Sequence, residues 1–326
     1  MNKKSSHNIW ADLVKPFFVL APLDDVSDTV FRQVVARAAK PDLFFTEFTN
    51  VDGYFSPGKE SVGRKLRWDS AVEQPLIAQI WGKNPENYFK MARELVNMGF
   101  AGIDINMGCP ERNVVAGGNG AGMIGQYERA GEIIRAVQKG SGGKLPVSVK
   151  TRIGINKIMT EEWAEFLLGH NLAALTIHGR TAKEMSKVPA HWDEIGKVVE
   201  LRNKLGVDTV IVGNGDVLSC AEGEHLAQQW GVDGIMIGRG IFQNIHVFER
   251  EVRPHSADEL IDILVYHLEL HQNTWNNLKR FEPLKKFFKI YVKDFINASE
   301  FRAELMDCKD YEDAFRVIEQ WRSRVH

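Results

Sequence analysis

The sequence has few cysteines, and they are not arranged to form a framework. Its 326 residues include three, Cys109, Cys220 and Cys308, which are widely separated and form no CxxC pair. An odd number of scattered cysteines does not provide a disulfide scaffold or a tetrahedral zinc site. We therefore expect no bound metal, and the pattern favours a protein of a reducing compartment, the cytoplasm.

The chain also lacks a long hydrophobic run and an excess of charge of either sign. The apolar run at 17–21 is too short for a signal sequence, and no later stretch is long enough to span a bilayer. There are 41 basic and 43 acidic residues, and the formal net charge is −2. A polyanion could therefore be bound only by a local basic patch. We expect a protein without a membrane partner.

Short apolar runs rich in β-branched and aromatic residues recur along the first 240 positions. Their apolar character is continuous rather than alternating, as in parallel strands that are covered on both faces. Segments with helical periodicity separate most of them. The eight runs are 17–22, 43–48, 76–82, 102–108, 147–152, 174–180, 209–216 and 234–240, and the helices predicted between them include 28–39, 84–98, 128–139, 160–170, 192–205 and 220–230.

This alternation of strands and helices predicts an α/β fold, a (β/α)8 TIM barrel, with a C-terminal helical domain. Eight strands with their helices are typical of that barrel. A doubly wound open sheet is the alternative, but no GxGxxG segment follows an early strand. Beyond Pro254 the strand-like runs stop, and helices are predicted over 257–275, 283–296 and 310–324. We predict a catalytic barrel domain over 1–252 and a helical domain over 253–326.

Polar residues follow every predicted strand, at the end where such a barrel carries its catalytic face. Glycine-bearing turns at 213–216 and 238–240 follow the last two strands and favour a phosphate site. Gln79 can donate and accept at a ring edge, and Lys150 could neutralise charge on a reduced ring. Together these features favour FMN. Two alternatives stay open: the glycines only permit tight turns, and Lys150 pairs with Glu47.

Cys109 lies between Gly108 and Pro110, directly after a predicted strand. A thiol with the ordinary pKa of about 8.5 is mostly protonated at neutral pH, so it can act as a general acid toward carbon. We expect the glycine-rich stretch 117–122 to leave room for a bulky base to enter. A lone cysteine can equally be a small buried hydrophobic residue.

Eight segments occur in a fixed order along nearly the whole chain. They are APLDDVSDTVFR (21–32), TEF (46–48), QIWG (79–82), DINMGCP (104–110), SVKTRIG (148–154), TIHGRT (176–181), GNGD (213–216) and MIGRG (236–240). Together they resemble the tRNA-dihydrouridine synthase family. The resemblance implies an FMN-containing barrel with a helical domain that binds tRNA. It also implies that NADPH reduces FMN, that hydride passes from FMN to C6 of a uridine, and that a cysteine protonates C5.

The resemblance also implies a role for each matching position. Cys109 corresponds to the proton donor, and Asn106 and Arg180 correspond to contacts with the substrate. The positions that correspond to FMN contacts are Pro22, Leu23, Asp24, Gln79, Lys150, His178, Asn214, Gly215, Asp216, Gly238 and Arg239.

Residues 279–294 form a basic segment with six basic and two acidic side chains. Lys285, Lys289 and Lys293 are spaced four apart, so a helix over 283–296 would present them on one face. A solvated helix face explains this pattern too, but the resemblance favours contacts with tRNA phosphates. A uridine in a duplex must leave its stack to reach a barrel cavity, which suits a separate domain that holds the RNA backbone.

Two other functions fit parts of the sequence. An FMN barrel that acts on a free pyrimidine, such as a dihydroorotate dehydrogenase, would not need the basic segment. An RNA-binding module with a degenerate barrel would not need Cys109, Lys150 and His178. We therefore expect a tRNA-modifying enzyme, and we expect it to be a monomer.

Overall fold

The fold is known from a computed structural model that describes residues 8–325. Residues 1–7 and 326, at the outer ends of the two predicted domains, lie outside the described part. The strands are β1 (Phe17–Leu20), β2 (Phe44–Phe45), β3 (Thr49–Asn50), β4 (Leu76–Trp81), β5 (Gly102–Met107), β6 (Val147–Arg152), β7 (Ala174–His178), β8 (Val210–Asn214) and β9 (Gly234–Ile237).

All these strands pair in parallel, in the order β1-β9-β8-β7-β6-β5-β4-β2, and β3 also pairs with β4. The barrel closes between β1 and Leu43, the residue before β2. Val19 forms an isolated parallel bridge with Leu43, and Leu20 N donates to Leu43 O at 3.2 Å. The barrel predicted from the sequence is therefore confirmed.

The second predicted strand, 43–48, is interrupted. β2 and β3 pair with different parts of β4, and Thr46, Glu47 and Phe48 lie between them. Thr46 Oγ1 accepts from Gln79 N at 3.0 Å and donates to Glu47 O at 2.7 Å. The Glu47 carboxylate accepts from Asp25 N at 2.7 Å. These side-chain bonds replace the regular ladder and tie this strand position to the loop after β1.

The predicted helices between the strands all form, and each begins and ends within three residues of the prediction. They are α2 (Thr29–Ala39), α5 (Pro85–Leu95), α7 (Tyr127–Ser141), α8 (Thr160–Leu168), α9 (Trp192–Leu205) and α10 (Cys220–Trp230). Side-chain caps explain why the first residues of two helices were predicted closely. Asp28 accepts from Phe31 N at the start of α2, and Ser219 accepts from Glu222 N at the start of α10. The shorter helices are α1 (Ile9–Asp12), α3 (Val51–Tyr54), α4 (Lys59–Gly63) and α6 (Arg112–Ala116).

The C-terminal part is helical, as predicted, but the basic segment is not one helix. It forms a 3-10 helix at Glu282–Phe287 followed by the single turn α12 (Phe288–Tyr291), and Val292 leaves the helical conformation with ψ 80°. Adjacent Phe287 and Phe288 are both buried: the first stacks on Phe31 of the barrel with ring centroids 4.9 Å apart, and the second packs near Phe281. Because Phe287 and Phe288 are both buried, against different partners, the segment does not continue as one regular helix. The expectation that three lysines share one helix face is therefore wrong.

The other C-terminal helices are α11 (Ala257–Trp275), α13 (Ala298–Asp307) and α14 (Tyr311–Val325). A polar contact joins them to the barrel: Trp275 Nε1 and Lys279 Nζ donate to Asp28 Oδ2, at 3.1 and 2.7 Å. One continuous cluster of buried hydrophobic residues includes side chains of the barrel and of these helices. The boundary at 252/253 stays a prediction.

Within residues 8–325, no helix has both the length and the apolar character needed to cross a membrane.

Arg32 and Glu73 form a fully buried ion pair that ties α2 to the segment before β4. Arg32→Met leaves the Glu73 carboxylate buried without its counter-charge, so we expect the free energy of unfolding in urea to fall by about 3–5 kcal/mol. Adding Glu73→Gln should recover part of that loss. The matched control is Arg316→Met, because Arg316 is 62% exposed and pairs with Asp313; it should cost less than about 1 kcal/mol. Equal losses in the two variants would contradict the assignment.

Candidate active site

A cavity of about 770 Å³ opens at the carboxyl ends of the barrel strands. This is the end at which TIM barrels carry their active sites. Nearly all the site residues predicted from the sequence line it together. They are Pro22, Leu23, Asp24, Asn106, Cys109, Lys150, His178, Arg180, Asn214, Gly215, Asp216, Gly238 and Arg239.

Gln79 is the one predicted cofactor contact that does not line the cavity. It is fully buried on β4, inside the barrel. Its Nε2 donates to Asp104 Oδ2 at 2.7 Å, and its Oε1 accepts from Asn106 Nδ2 at 3.0 Å. Its predicted contact with a cofactor stays a prediction.

Cys109 is held at the end of β5 by backbone hydrogen bonds. Asn106 Oδ1 accepts from Gly108 N at 3.0 Å and from Cys109 N at 2.9 Å. On the other side of the turn, Ala121 N donates to Cys109 O at 3.0 Å. The Cys109 side chain is partly buried, and this burial raises the pKa of the thiol above its ordinary value. The thiol is therefore protonated at neutral pH, as a proton donor must be.

The glycine-rich stretch does not leave the room that the sequence suggested. Gly120–Met123 forms a buried 3-10 helix packed against the Cys109 turn. Gly120 has φ +52°, and a Cβ at this position would lie 2.7 Å from Cys109 O. A Cβ on Gly122 would lie 2.5 Å from Val115 O. These glycines allow close packing of the loop against the cysteine turn, so the expectation of an open entrance here is wrong.

Two cationic side chains of β6 face the cavity. Lys150 Nζ donates to Asn214 Oδ1 at 3.3 Å, and burial together with nearby Arg152 lowers the pKa of Lys150 to about 8. Lys150 is therefore still mostly protonated at neutral pH. Glu47 instead accepts from Asp25 N, so the alternative of a Lys150–Glu47 pair inside the barrel is not formed.

Arg152 is a cavity residue that is absent from the predicted contacts. It is buried, and its guanidinium donates to three backbone carbonyls: Gly108 O at 2.8 Å, Thr181 O at 3.1 Å and Met185 O at 3.3 Å. The sequence marks it with Lys150 as a polar residue at this strand end, and its position two residues after Lys150 places both on one face, but no ligand contact was assigned to it. Other lining residues that the sequence did not mark are Phe48, Met185, Ser186, Val217, Leu218, Phe242 and Gln243.

Asp216, in the loop after β8, arranges two arginines at the cavity. Its carboxylate pairs with Arg180 and with Arg239, the latter at 3.2 Å, and also accepts from Ala190 N at 3.0 Å. The preceding Gly215 has φ +143°, and a Cβ there would lie 2.5 Å from Ala190 Cβ. Arg239 remains 60% exposed and can therefore reach a ligand.

His178 stands among these cations and is neutral. Burial, and then the positive charges of Arg152 and Lys150, lower its pKa well below the ordinary value for histidine. A neutral imidazole offers one donor and one acceptor. His178 thus presents a hydrogen-bonding edge to the cavity without adding charge.

Outside the cavity, His246, Glu249 and His255 lie within metal-binding distance of one another. The two imidazole rings stack, with centroids 3.4 Å apart and an interplanar angle of 11°. Imidazole nitrogens bind a metal in the ring plane, so two stacked parallel rings do not direct their lone pairs at one ion. The expectation that no metal is bound stays a prediction.

The family model "Dihydrouridine synthase (Dus)" matches residues 19–324. A Bacillus subtilis (strain 168) protein named probable tRNA-dihydrouridine synthase 2 is 46% identical over 324 residues, which cover 98% of each chain. A Staphylococcus aureus (strain COL) protein named probable tRNA-dihydrouridine synthase is 44% identical over 321 residues, 98% of this chain and 97% of that one. Among solved structures, morphinone reductase in complex with tetrahydroNAD matches with a TM-score of 0.49 and 14% identity, over 72% of this chain and 85% of that one.

The lowered pKa of Lys150 predicts a pH-dependent stability of the cofactor-free protein. The amine titrates near pH 8 when folded and near 10.5 when unfolded, so the unfolded state binds more protons between these values. The stability contributed by this group should therefore rise with pH across that window. We expect the rise to disappear in Lys150→Met, measured as the difference in urea unfolding free energy from the wild type. The exposed Lys204→Met is the control, and an identical pH profile for wild type and Lys150→Met would refute the prediction.

Proposed function

The chain belongs to the dihydrouridine synthase family, and from this premise we propose that it reduces uridine in tRNA to 5,6-dihydrouridine, with FMN as bound cofactor and NADPH as reductant. The observation that carries the proposal is the position of the Cys109 thiol. It opens into the same cavity as Lys150, His178 and Arg239. A proton donor, a buried cation and a candidate phosphate ligand thus share one chamber at the active end of the barrel.

The cavity lining fits a flat, phosphorylated cofactor. A Cβ on Gly238 would contact only Ala21 Cβ, at 3.7 Å, so its bare backbone leaves space for a ligand beside the exposed guanidinium of Arg239. These two residues would hold the phosphate, with Gly215 and Asp216 adjoining them. The contacts proposed for the rest of FMN are Pro22, Leu23, Asp24, Gln79, Lys150, His178 and Asn214. When bound at these residues, FMN would supply the redox chemistry, with hydride taken from NADPH and passed to C6 of the uracil ring.

Lys150 supplies positive charge at the position proposed for the flavin ring. Its pKa of about 8 keeps most of the amine protonated at neutral pH. Asn214 orients the amine through its side-chain oxygen, at 3.3 Å, and donates from Nδ2 to Met236 O at 2.8 Å. Lys150 thus has a fixed orientation from which to stabilise negative charge in the cavity.

Cys109 donates the proton that C5 of uracil requires. The S–H bond breaks, a C5–H bond forms, and a thiolate remains on Cys109. The positive charge of nearby Arg152 favours that thiolate, while burial opposes it. Arg152 is itself fixed by the carbonyl of Gly108, the residue before the cysteine. Asn106 and Arg180, which line the same cavity, are the proposed contacts with the substrate base.

Cys109→Ala should remove the proton donor without changing the cofactor site. A positioned general acid typically contributes about 10²–10⁴-fold, so we expect uridine reduction to slow by that factor. The measurement is single-turnover oxidation of prereduced, flavin-containing enzyme by unmodified tRNA. Flavin content and the rate of flavin reduction by NADPH should stay at wild-type values, because neither uses the thiol.

Matched controls for this experiment are Cys220→Ala and Cys308→Ala, since both cysteines are buried away from the cavity lining. Both should oxidise at the wild-type rate. A Cys109→Ala enzyme that forms dihydrouridine normally would remove this thiol from the mechanism. A purified protein without flavin would count against FMN, and reduction of a free pyrimidine but not of tRNA would favour the dihydroorotate dehydrogenase-like alternative.

The proposed tRNA contacts in the basic segment differ in accessibility. Lys285 is only 10% exposed and pairs with Glu282 at 2.9 Å. Lys293 donates to the backbone carbonyl of Gln243 and pairs with Asp294. Lys289 is exposed on α12. Lys289 is therefore the residue of the three that can meet a phosphate without giving up an existing contact, and the roles proposed for Lys285 and Lys293 require rearrangement.

Lys289→Glu should weaken tRNA binding through the loss of one phosphate contact. We expect lower affinity for all tRNA substrates and a salt dependence of log K that is shallower by about 1. Filter binding or fluorescence titration over a range of salt concentrations measures both. The control is Lys204→Glu on α9, which makes the same charge change at another exposed lysine. If the two variants bind tRNA equally well, α12 is a solvated surface and not a tRNA contact.

A further inference from the structure

We propose that Asp104 is a positioning residue for Cys109: its carboxylate fixes the orientation of the Gln79 and Asn106 amides, which hold the turn that carries the thiol. This inference rests on the proposed function for its catalytic consequence. The hydrogen-bond chain on which it stands is independent of that function.

Asp104 lies inside the barrel on β5, where it is fully buried. The strand register places it beside Gln79 of β4 and Ser148 of β6. Gln79 Nε2 donates to its Oδ2 at 2.7 Å, and Ser148 Oγ donates to its Oδ1 at 2.6 Å. Each carboxylate oxygen thus has a donor from a different neighbouring strand.

The chemistry of these groups sets the direction of the whole chain. An ionised carboxylate can only accept, so Gln79 must present its amide nitrogen to Asp104. The Gln79 oxygen then faces Asn106 and accepts from its Nδ2 at 3.0 Å. This leaves Asn106 Oδ1 to accept from the backbone N–H groups of Gly108 and Cys109.

The opposite orientation of either amide would break this chain of hydrogen bonds before it reaches the turn that carries Cys109. If Asn106 turned its nitrogen toward the turn, the N–H groups of Gly108 and Cys109 would face a donor. Buried donors without an acceptor are strongly disfavoured. Asp104 is three hydrogen bonds away from the turn. It therefore selects the one arrangement of the two amides in which Asn106 Oδ1 accepts from the turn's N–H groups. A thiol displaced by about 1 Å can lose roughly 10²-fold in rate.

A rival role for Asp104 is charge balance, because Lys150 lies near enough to interact with it electrostatically. Burial raises the pKa of Asp104 to about 6, so the carboxylate is mostly ionised at neutral pH. The two roles are separable by substitution. Asp104→Asn removes the charge but keeps an oxygen for Gln79 Nε2, while its new amide nitrogen can donate to the Ser148 hydroxyl. Asp104→Leu removes the acceptor and the charge together.

The experiment compares Asp104→Asn with Asp104→Leu by two readouts. The first is the single-turnover rate of uridine reduction by prereduced enzyme. The second is the rate at which iodoacetamide alkylates Cys109 in the cofactor-free protein, identified by peptide mass; Cys220 and Cys308 are buried. We expect Asp104→Asn to lie closer to the wild type than Asp104→Leu in both readouts, because the asparagine can still present an oxygen to Gln79 Nε2. Asp104→Leu should reduce uridine about 10²-fold more slowly and alkylate severalfold faster.

A rescue pair keeps the test decisive if Asp104→Leu does not fold. Gln79→Glu sets one carboxylate against another and should disturb the turn. In the combination with Asp104→Asn, the amide nitrogen at position 104 can donate to the carboxylate at position 79. The other oxygen of that carboxylate can accept from Asn106 Nδ2, so thiol reactivity should return toward the wild-type value. Ser148→Ala, which leaves the Gln79–Asn106 links intact, is the matched control and should leave thiol reactivity unchanged.

Three results would overturn the proposal. The first is an equal loss of rate in Asp104→Asn and Asp104→Leu, which would assign a charge role to Asp104. The others are wild-type thiol reactivity in Asp104→Leu and no rescue of thiol reactivity when Gln79→Glu is combined with Asp104→Asn. Failure of the proposed function has a different signature. In that case the wild type itself does not reduce uridine in tRNA, while the alkylation rates still report whether Asp104 positions the thiol.

Discussion

The register of the parallel strands is the constraint on which the site depends. It pairs Gln79 with Asp104 and Asp104 with Ser148, and two residues further along it pairs Asn106 with Lys150. Side chains alternate between the two faces of a strand, so a shift of one residue would turn each of these groups from the barrel interior to the helix layer. The apolar residues between them pack against the surrounding helices and thereby fix the register that assembles the polar interior.

The second property of the site is its collection of cations. Lys150, Arg152, Arg180 and Arg239 line one cavity, and Asp216 pairs with only the last two. Arg152 is held by backbone carbonyls, which stabilise its position without cancelling its charge. Burial, together with these positive charges, lowers the pKa of His178 and keeps it neutral. The cavity therefore favours ligands that carry or develop negative charge, and in the proposed function a phosphorylated flavin, a uracil under reduction and a Cys109 thiolate would share that property.

The barrel was predictable because its signals are local. Continuous apolar runs marked the strands, and helix periodicity with caps such as Asp28 and Ser219 marked the helices. The break of the strand at 43–48 and of the helix at 283–296 depends on contacts with residues distant in sequence, such as Gln79 with Thr46 and Phe31 with Phe287. The polar cavity residues at the strand ends followed from their positions there. Asp104 did not, because its role exists only once the register has set it beside Gln79 and Ser148.

The join between the barrel and the C-terminal helices bears on how tRNA would be presented to the cavity. Asp28 caps α2 and also accepts from Trp275 and Lys279, so one carboxylate serves the barrel and the helical part at once. Lys286 donates to the carbonyl of Asp25, next to the cavity residue Asp24. The basic segment is thus fastened to the loop after β1 at the edge of the cavity. In the proposed function, a backbone held there keeps a fixed distance to Cys109, so a uridine that leaves its stack has a defined path to the thiol.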